Sequence, residues 1–247
     1  MHIKICGVTT PEDAELAARL GATAIGLNLY KDSPRFVAWE TARNIISYMP
    51  PLVEPVAVLV NPPTTSFSTW PQLELVRTLQ LHSFTPDRWP ELLQNWVGNA
   101  VILAHGVADL EDRLQLEGHL NQWLRKLPLL MELRKSSSAR VGIWPILKNA
   151  EPPAFAVLFD AKVPGQHGGT GQQAPWHLLA DWQMPYPLIL AGGLTPENVA
   201  EAIRIVRPYG VDVASGVESA PGVKEAEKMR RFIGNALQAA VKYTAGR

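Results

Sequence analysis

Leu188-Ile-Leu-Ala-Gly-Gly-Leu-Thr-Pro-Glu-Asn198, with Val211-Asp-Val-Ala-Ser-Gly216 downstream of it, decides the fold. An apolar run, Leu188–Ala191, reads as a buried strand that ends on two glycines. Thr195, Pro196 and Glu197 then have the residue types of a capped helix start, and helical spacing carries on to about Val206. Val211–Ala214 is a second buried strand, and it too ends on a small-residue turn, Ser215-Gly216. Strand, turn, helix, strand is the unit of a parallel sheet.

The same rhythm extends outward in both directions. Earlier strands are read at Ile3–Cys6, Ala24–Leu29, Pro55–Val60, Val76–His82, Ala100–Ala104 and Phe155–Asp160. The first helix starts from Thr9 or Thr10, has Pro11 at its first position and Glu12 and Asp13 in its first turn, and ends at Gly21. Others are read near Trp39 to Met49, Leu110 to Leu127, and Lys224 to Val241. Eight such units predict an α/β chain folded as a (β/α)8 TIM barrel, one domain over residues 1–247. An open doubly wound sheet is the second architecture that this alternation permits. One segment, about 110–153, is longer than a single crossover helix requires. After its helix come Ser136-Ser-Ser138, Trp144-Pro145 and Pro152-Pro153, which read as irregular chain with one short strand, Val141–Ile143. It is either a working loop or a surface excursion.

Composition narrows the function. Lys and Arg number 23, as do Asp and Glu, so no basic excess points to nucleic acid and any anion must be gripped locally. At 47% hydrophobic the chain can bury a large core, yet no apolar run approaches the roughly 20 residues of a membrane span. No charged start followed by an apolar run suggests a signal peptide, and a soluble cytoplasmic protein is expected. A single cysteine excludes an internal disulfide, and the six histidines lack metal-ligand spacing, so no metal is expected.

In such barrels the chemistry stands at the C-terminal strand ends. There the sequence places Cys6-Gly7, Asn28, Asn61, Gln80 and His82, Asp160, Gly192-Gly193 and Ser215-Gly216. The glycines at 192, 193 and 216, with Gly168 and Gly169 after the sixth strand, would let backbone N–H groups approach a phosphate; otherwise they simply make tight turns. Cys6 is either a small buried hydrophobe or a candidate base or nucleophile. Asp160 is either a loop cap or a catalytic group. His82 is a weaker candidate, because strand-end histidines often only tie neighbouring loops. Gly169-x-Gly171-x-x-Ala174 formally fits a dinucleotide fingerprint, but the acidic residue expected about 20 positions on is missing.

Lys4-Ile-Cys-Gly7, Ser33-Pro-Arg-Phe36, Leu79-Gln-Leu-His82, the run Asp160 to Gly171, Leu190 to Asn198 and Gly210 to Glu218, in this order, resemble phosphoribosylanthranilate isomerase from residue 3 to about 235. The resemblance implies a cofactor-free Amadori rearrangement of a small phosphorylated substrate. Cys6 is the implied general base at the sugar C2′, and Asp160 the implied acid at the ring oxygen. Arg35 would hold the anthranilate carboxylate; from its sequence position alone it reads as a solvated loop charge. The glycines, with Ser215, would hold the phosphate. Another phosphosugar barrel enzyme, or a binding module that has lost catalysis, are the competing readings; a monomer and a homodimer both fit. Ser83 stands where the family has glycine, Ala104 lies in a fifth strand that lacks the usual lysine, and Ala214 replaces a serine. Every matched motif lies outside 110–153.

Overall fold

Alternation along the strands sorts their side chains onto two sides of one closed sheet. A computed structural model describes residues 1–62, 75–83, 100–122, 154–161, 174–180, 182, 184 and 186–244. The strands are β1 (His2–Cys6), β2 (Ala24–Asn28), β3 (Glu54–Val60), β4 (Thr78–His82), β5 (Ala100–Val107), β6 (Ala154–Ala161), β7 (Leu188–Leu190) and β8 (Gly210–Val213). They close in sequence order, and every neighbouring pair is parallel; β1 pairs with both β2 and β8. The expected (β/α)8 barrel is the observed one, and the open sheet is excluded.

Because successive side chains in a strand face opposite ways, two apolar cores form. Ile3, Ile5, Leu79, Leu81, Phe159 and Val211 face outward and pack with helix residues such as Ala17, Ile45, Ile203 and Phe232. Ala24, Val56, Ile102, Ala104, Leu158, Ile189 and Ala191 fill the barrel interior. Lys4 and Cys6 alternate with Ile3 and Ile5, so they belong to the inner face.

The helices are α1 (Pro11–Leu20), α2 (Trp39–Ser47), α3 (110–122), α4 (Trp176–Leu179), α5 (Val199–Val206) and α6 (Ala226–Thr244). At the start of α1, Thr10 Oγ1 accepts from the Asp13 N–H, and Gly21 caps its end at φ 109°. Arg113 on α3 lies 4.7 Å from the Trp182 ring centroid and donates to the Leu178 carbonyl, tying α3 to α4. Of the long 110–153 segment, 123–153 lies outside the described residues, as does the expected strand Val141–Ile143.

Two boundaries differ from the sequence reading. Regular α5 begins at Val199 and not at Thr195, because residues 195–198 form a side-chain-held turn. There Thr195 Oγ1 accepts from the Glu197 N–H at 3.2 Å, and Asn198 Oδ1 accepts from the Thr195 N–H at 2.8 Å. The last helix begins at Ala226. Lys224, expected at its start, lies in a short antiparallel pair, β9 (Glu218–Ala220) with β10 (Val223–Lys224), and its ammonium is drawn into the barrel mouth.

Candidate active site

Cys6 ends β1 and is 9% exposed. Two residues below it on the same face, Lys4 is fully buried, and its ammonium stands 2.8 Å from Asp212 Oδ1 on β8. Lys4 and Asp212 are direct register partners. Burial pushes the Cys6 thiol up, while Lys4 opposes that shift through its charge and a hydrogen bond. Burial also works against the charge on Lys4, but Asp212 and the thiol outweigh it and hold its pKa above the ordinary lysine value.

Asp160 stands at the end of β6. Its Oδ1 accepts from the Ala161 N–H at 2.8 Å. Burial raises its carboxyl to about 6, against the opposing pull of that N–H bond, with the Asp212 charge adding to the rise. Gly192, at φ 82°, makes room for this arrangement: a Cβ there would stand 2.5 Å from the Ala161 nitrogen and 3.0 Å from Asp160 Oδ1. Gly193 also has positive φ, at 63°. Ser215 and Gly216 open a short 3-10 turn, and a Cβ on Gly216 would collide with the Leu194 carbonyl. The loops after β7 and β8 therefore touch. Gly168 and Gly169 lie outside the described residues.

Arg35 corrects the expectation of a solvated charge. It is 8% exposed and makes a bidentate pair with Glu218, Nε to Oε1 at 2.9 Å and Nη2 to Oε2 at 2.7 Å. Lys224 completes the cluster: its ammonium donates to Glu218 Oε1 at 2.7 Å, to the Cys6 carbonyl at 2.6 Å and to the Ala214 carbonyl at 3.3 Å. Although burial opposes it, these two cations hold Glu218 below the usual carboxylate range. His82 ends β4, and its Nε2 lies 2.9 Å from Gln80 Nε2 on the same face.

Three departures from the family pattern acquire physical readings. Ser83 adopts φ 54°, the left-handed conformation that glycine enters without strain. Ala104 packs into the inner core. Ala214 contributes its backbone carbonyl to Lys224, a role indifferent to its side chain.

Asp212, Glu218 and Lys224 were not candidates from sequence. A signal existed for one of these: a charge flanked by apolar neighbours in Val211-Asp-Val213. A charge inside a buried strand must face a polar partner. Among the described residues no group of His, Cys, Asp or Glu is placed to hold a metal, and no helix is long and apolar enough to cross a membrane.

The chain matches the model of the N-(5'phosphoribosyl)anthranilate (PRA) isomerase family over residues 3–119 and 112–235. It is 37% identical over 240 residues to an N-(5'-phosphoribosyl)anthranilate isomerase of Trichlorobacter lovleyi, covering 97% of this chain and 99% of that one. A Pseudomonas fluorescens protein of the same name is 39% identical over 230 residues, covering 93% of this chain and 95% of that one. Among solved structures, phosphoribosyl anthranilate isomerase from Thermotoga maritima superposes with a TM-score of 0.73 at 29% identity, covering 96% of this chain and 99% of that chain. A phosphoribosyl anthranilate isomerase crystallised with reduced 1-(o-carboxyphenylamino)-1-deoxyribulose 5-phosphate superposes at 0.71 with 28% identity, over 96% and 99% of the two chains. The barrel, the family model and the relatives agree, and the chain belongs to the N-(5'-phosphoribosyl)anthranilate isomerase family.

Proposed function

We propose that this chain converts N-(5'-phosphoribosyl)anthranilate to 1-(2-carboxyphenylamino)-1-deoxyribulose 5-phosphate, with Asp160 as acid and Cys6 as base. The observation that carries the reading is Asp160, a strand-end carboxyl whose surroundings raise its pKa to about 6. Near pH 7 roughly a tenth of it is neutral, against about 0.1% for an ordinary aspartate.

The neutral acid gives its proton to the ribose ring oxygen as the C1′–O bond breaks. The anthranilate nitrogen supplies the electron pair that forms C1′=N. The Cys6 thiolate then takes the C2′ proton, and the C2′–H electrons form the enolamine. Ketonisation moves a proton from the C2′ hydroxyl to C1′, so the product is an isomer of the substrate. C2′ is oxidised as C1′ is reduced, and no external hydride carrier is needed.

The touching loops at Gly192-Gly193 and Ser215-Gly216 would hold the phosphate, and the family resemblance adds Gly168 and Gly169. Arg35 is the cation for the anthranilate carboxylate. Since Nε and Nη2 hold Glu218, that recognition falls to Nη1. His82 would line the same mouth from β4. A reaction on a free phosphorylated metabolite fits a cytoplasmic enzyme.

The test follows the fluorescence change as purified protein meets freshly made phosphoribosylanthranilate. Wild type should turn over, and Cys6→Ala should lose about 10²–10⁴-fold in kcat with KM nearly unchanged. No turnover by wild type would remove the reading.

A further inference from the structure

Asp160 must be neutral and Cys6 must be an anion, which is the reverse of what either prefers in water near pH 7. The barrel contains a second buried pair, Lys4 and Asp212, that the proposed chemistry leaves unused. Its placement is informative. Strand order around the barrel is β6, β7, β8, β1, so Asp212 on β8 lies on the Asp160 side of Lys4. Phe159 pairs with Leu190, and Leu190 with Val211. One residue further along, Asp160 and Asp212 stand at the same level, and Asp212 is in register with Lys4.

Cys6 sits one inward-facing position above Lys4 on β1. Its register partner on β2 is Gly26, where a Cβ would meet Cys6 Sγ at 2.7 Å and Lys4 Cε at 3.0 Å. Sulfur and lysine stem thus fold over the same bare backbone.

We propose that Lys4 and Asp212 are positioning residues for the acid–base pair, an ion pair oriented across the barrel with its cationic end at Cys6 and its anionic end towards Asp160. An opposite charge beside each group would favour the form it needs only if the nearer member dominates. It does at both ends. At the thiol the effect of Lys4 exceeds that of Asp212, and at Asp160 the effect of Asp212 exceeds that of Lys4. Around Cys6 the other facing charges are Lys224 from β10 and Arg35 from the loop after β2, both paired with Glu218. Those three cations and two carboxylates leave one positive charge, which a thiolate neutralises. The proposal rests on the reading of Cys6 and Asp160 as base and acid.

The test exploits the single cysteine. Alkylation by iodoacetamide between pH 6 and 10 reports the Cys6 thiolate midpoint, which limited access scales but does not move. The Asp160 carboxyl is followed by carbon NMR, its resonance identified by its absence in Asp160→Asn. The double variant Lys4→Met with Asp212→Asn removes both charges and strands neither. The expected result is opposite movement: the thiol midpoint rises by about half a unit or more, so alkylation at pH 7.5 slows about threefold or more, while the Asp160 midpoint falls. Lys4→Arg should keep alkylation close to wild type. The two midpoints moving together, or neither moving, overturns the proposal. Should the double variant fail to fold, Asp212→Asn alone must lower both midpoints, and a rise in either refutes the orientation. Neither titration requires turnover, so a chain that does not convert phosphoribosylanthranilate sinks the functional reading without deciding this one.

Discussion

Asp160→Asn should stabilise the protein at neutral pH while abolishing most of its turnover. The wild-type carboxyl is raised from 3.8 to about 6. Below 3.8 it is protonated in both folded and unfolded chains and costs nothing. Between 3.8 and 6 the unfolded chain ionises first, so folding loses stability as pH rises; above 6 the full penalty persists. At about 1.4 kcal/mol per unit, the shift corresponds to about 3 kcal/mol. Asparagine keeps an oxygen for the Ala161 N–H, which now bonds Oδ1 at 2.8 Å. Its amide N–H groups, if poorly met, return about 1 kcal/mol. A net gain of about 2 kcal/mol raises Tm by roughly 4–8 °C for a chain of this size. Thermal melts by circular dichroism from pH 4 to 8 would show the two proteins converging at low pH and separating through pH 6. In the same variant kcat should fall about 10²–10⁴-fold. Melting curves that stay parallel over the whole range, or a variant less stable at pH 7.5, would refute the burial argument.

Gly192→Ala forces a side chain onto a φ of 82° and against Asp160 Oδ1; it should cost about 1–3 kcal/mol in denaturant melts and lower kcat more than KM. Glu218→Gln removes the anion between Arg35 and Lys224, and leaving two buried cations unmatched should cost about 3 kcal/mol and raise KM several-fold as Arg35 loses its anchor; unchanged KM and Tm would show the cluster to be incidental. The pH profile of kcat/KM should be a bell whose rising limb lies near 6, because an acid titrating below its base gives a plateau between the two pKa values; that limb belongs to Asp160 and should vanish in Asp160→Asn.

What was legible in the sequence depended on the range of the physics involved. Strand positions, the α1 cap and the closed barrel follow from periodicity and local backbone chemistry, and those readings agree with the structure to within a few residues. Cys6, Asp160 and the glycines announce themselves by ending apolar runs. Lys224 did not, because its helix-like neighbours conceal a two-residue strand that turns it back 218 positions to the Cys6 carbonyl. Arg35 looked solvated for the same reason: its partner, Glu218, lies 183 positions away.

The Lys4–Asp212 pair is an intermediate case. Each residue is visibly wrong for its strand, a full charge between two aliphatic neighbours, and burying one alone would be prohibitive. Closure makes the strands neighbours: once β1 lies beside β8, a cation on one and an anion on the other can cancel. Register then decides their worth. A slip of one residue along β8 would send Asp212 to the outer face among the helices and leave Lys4 uncompensated beneath Cys6. The pair therefore favours one register between the first and last strands, so the step that closes the barrel also brings its two buried charges together.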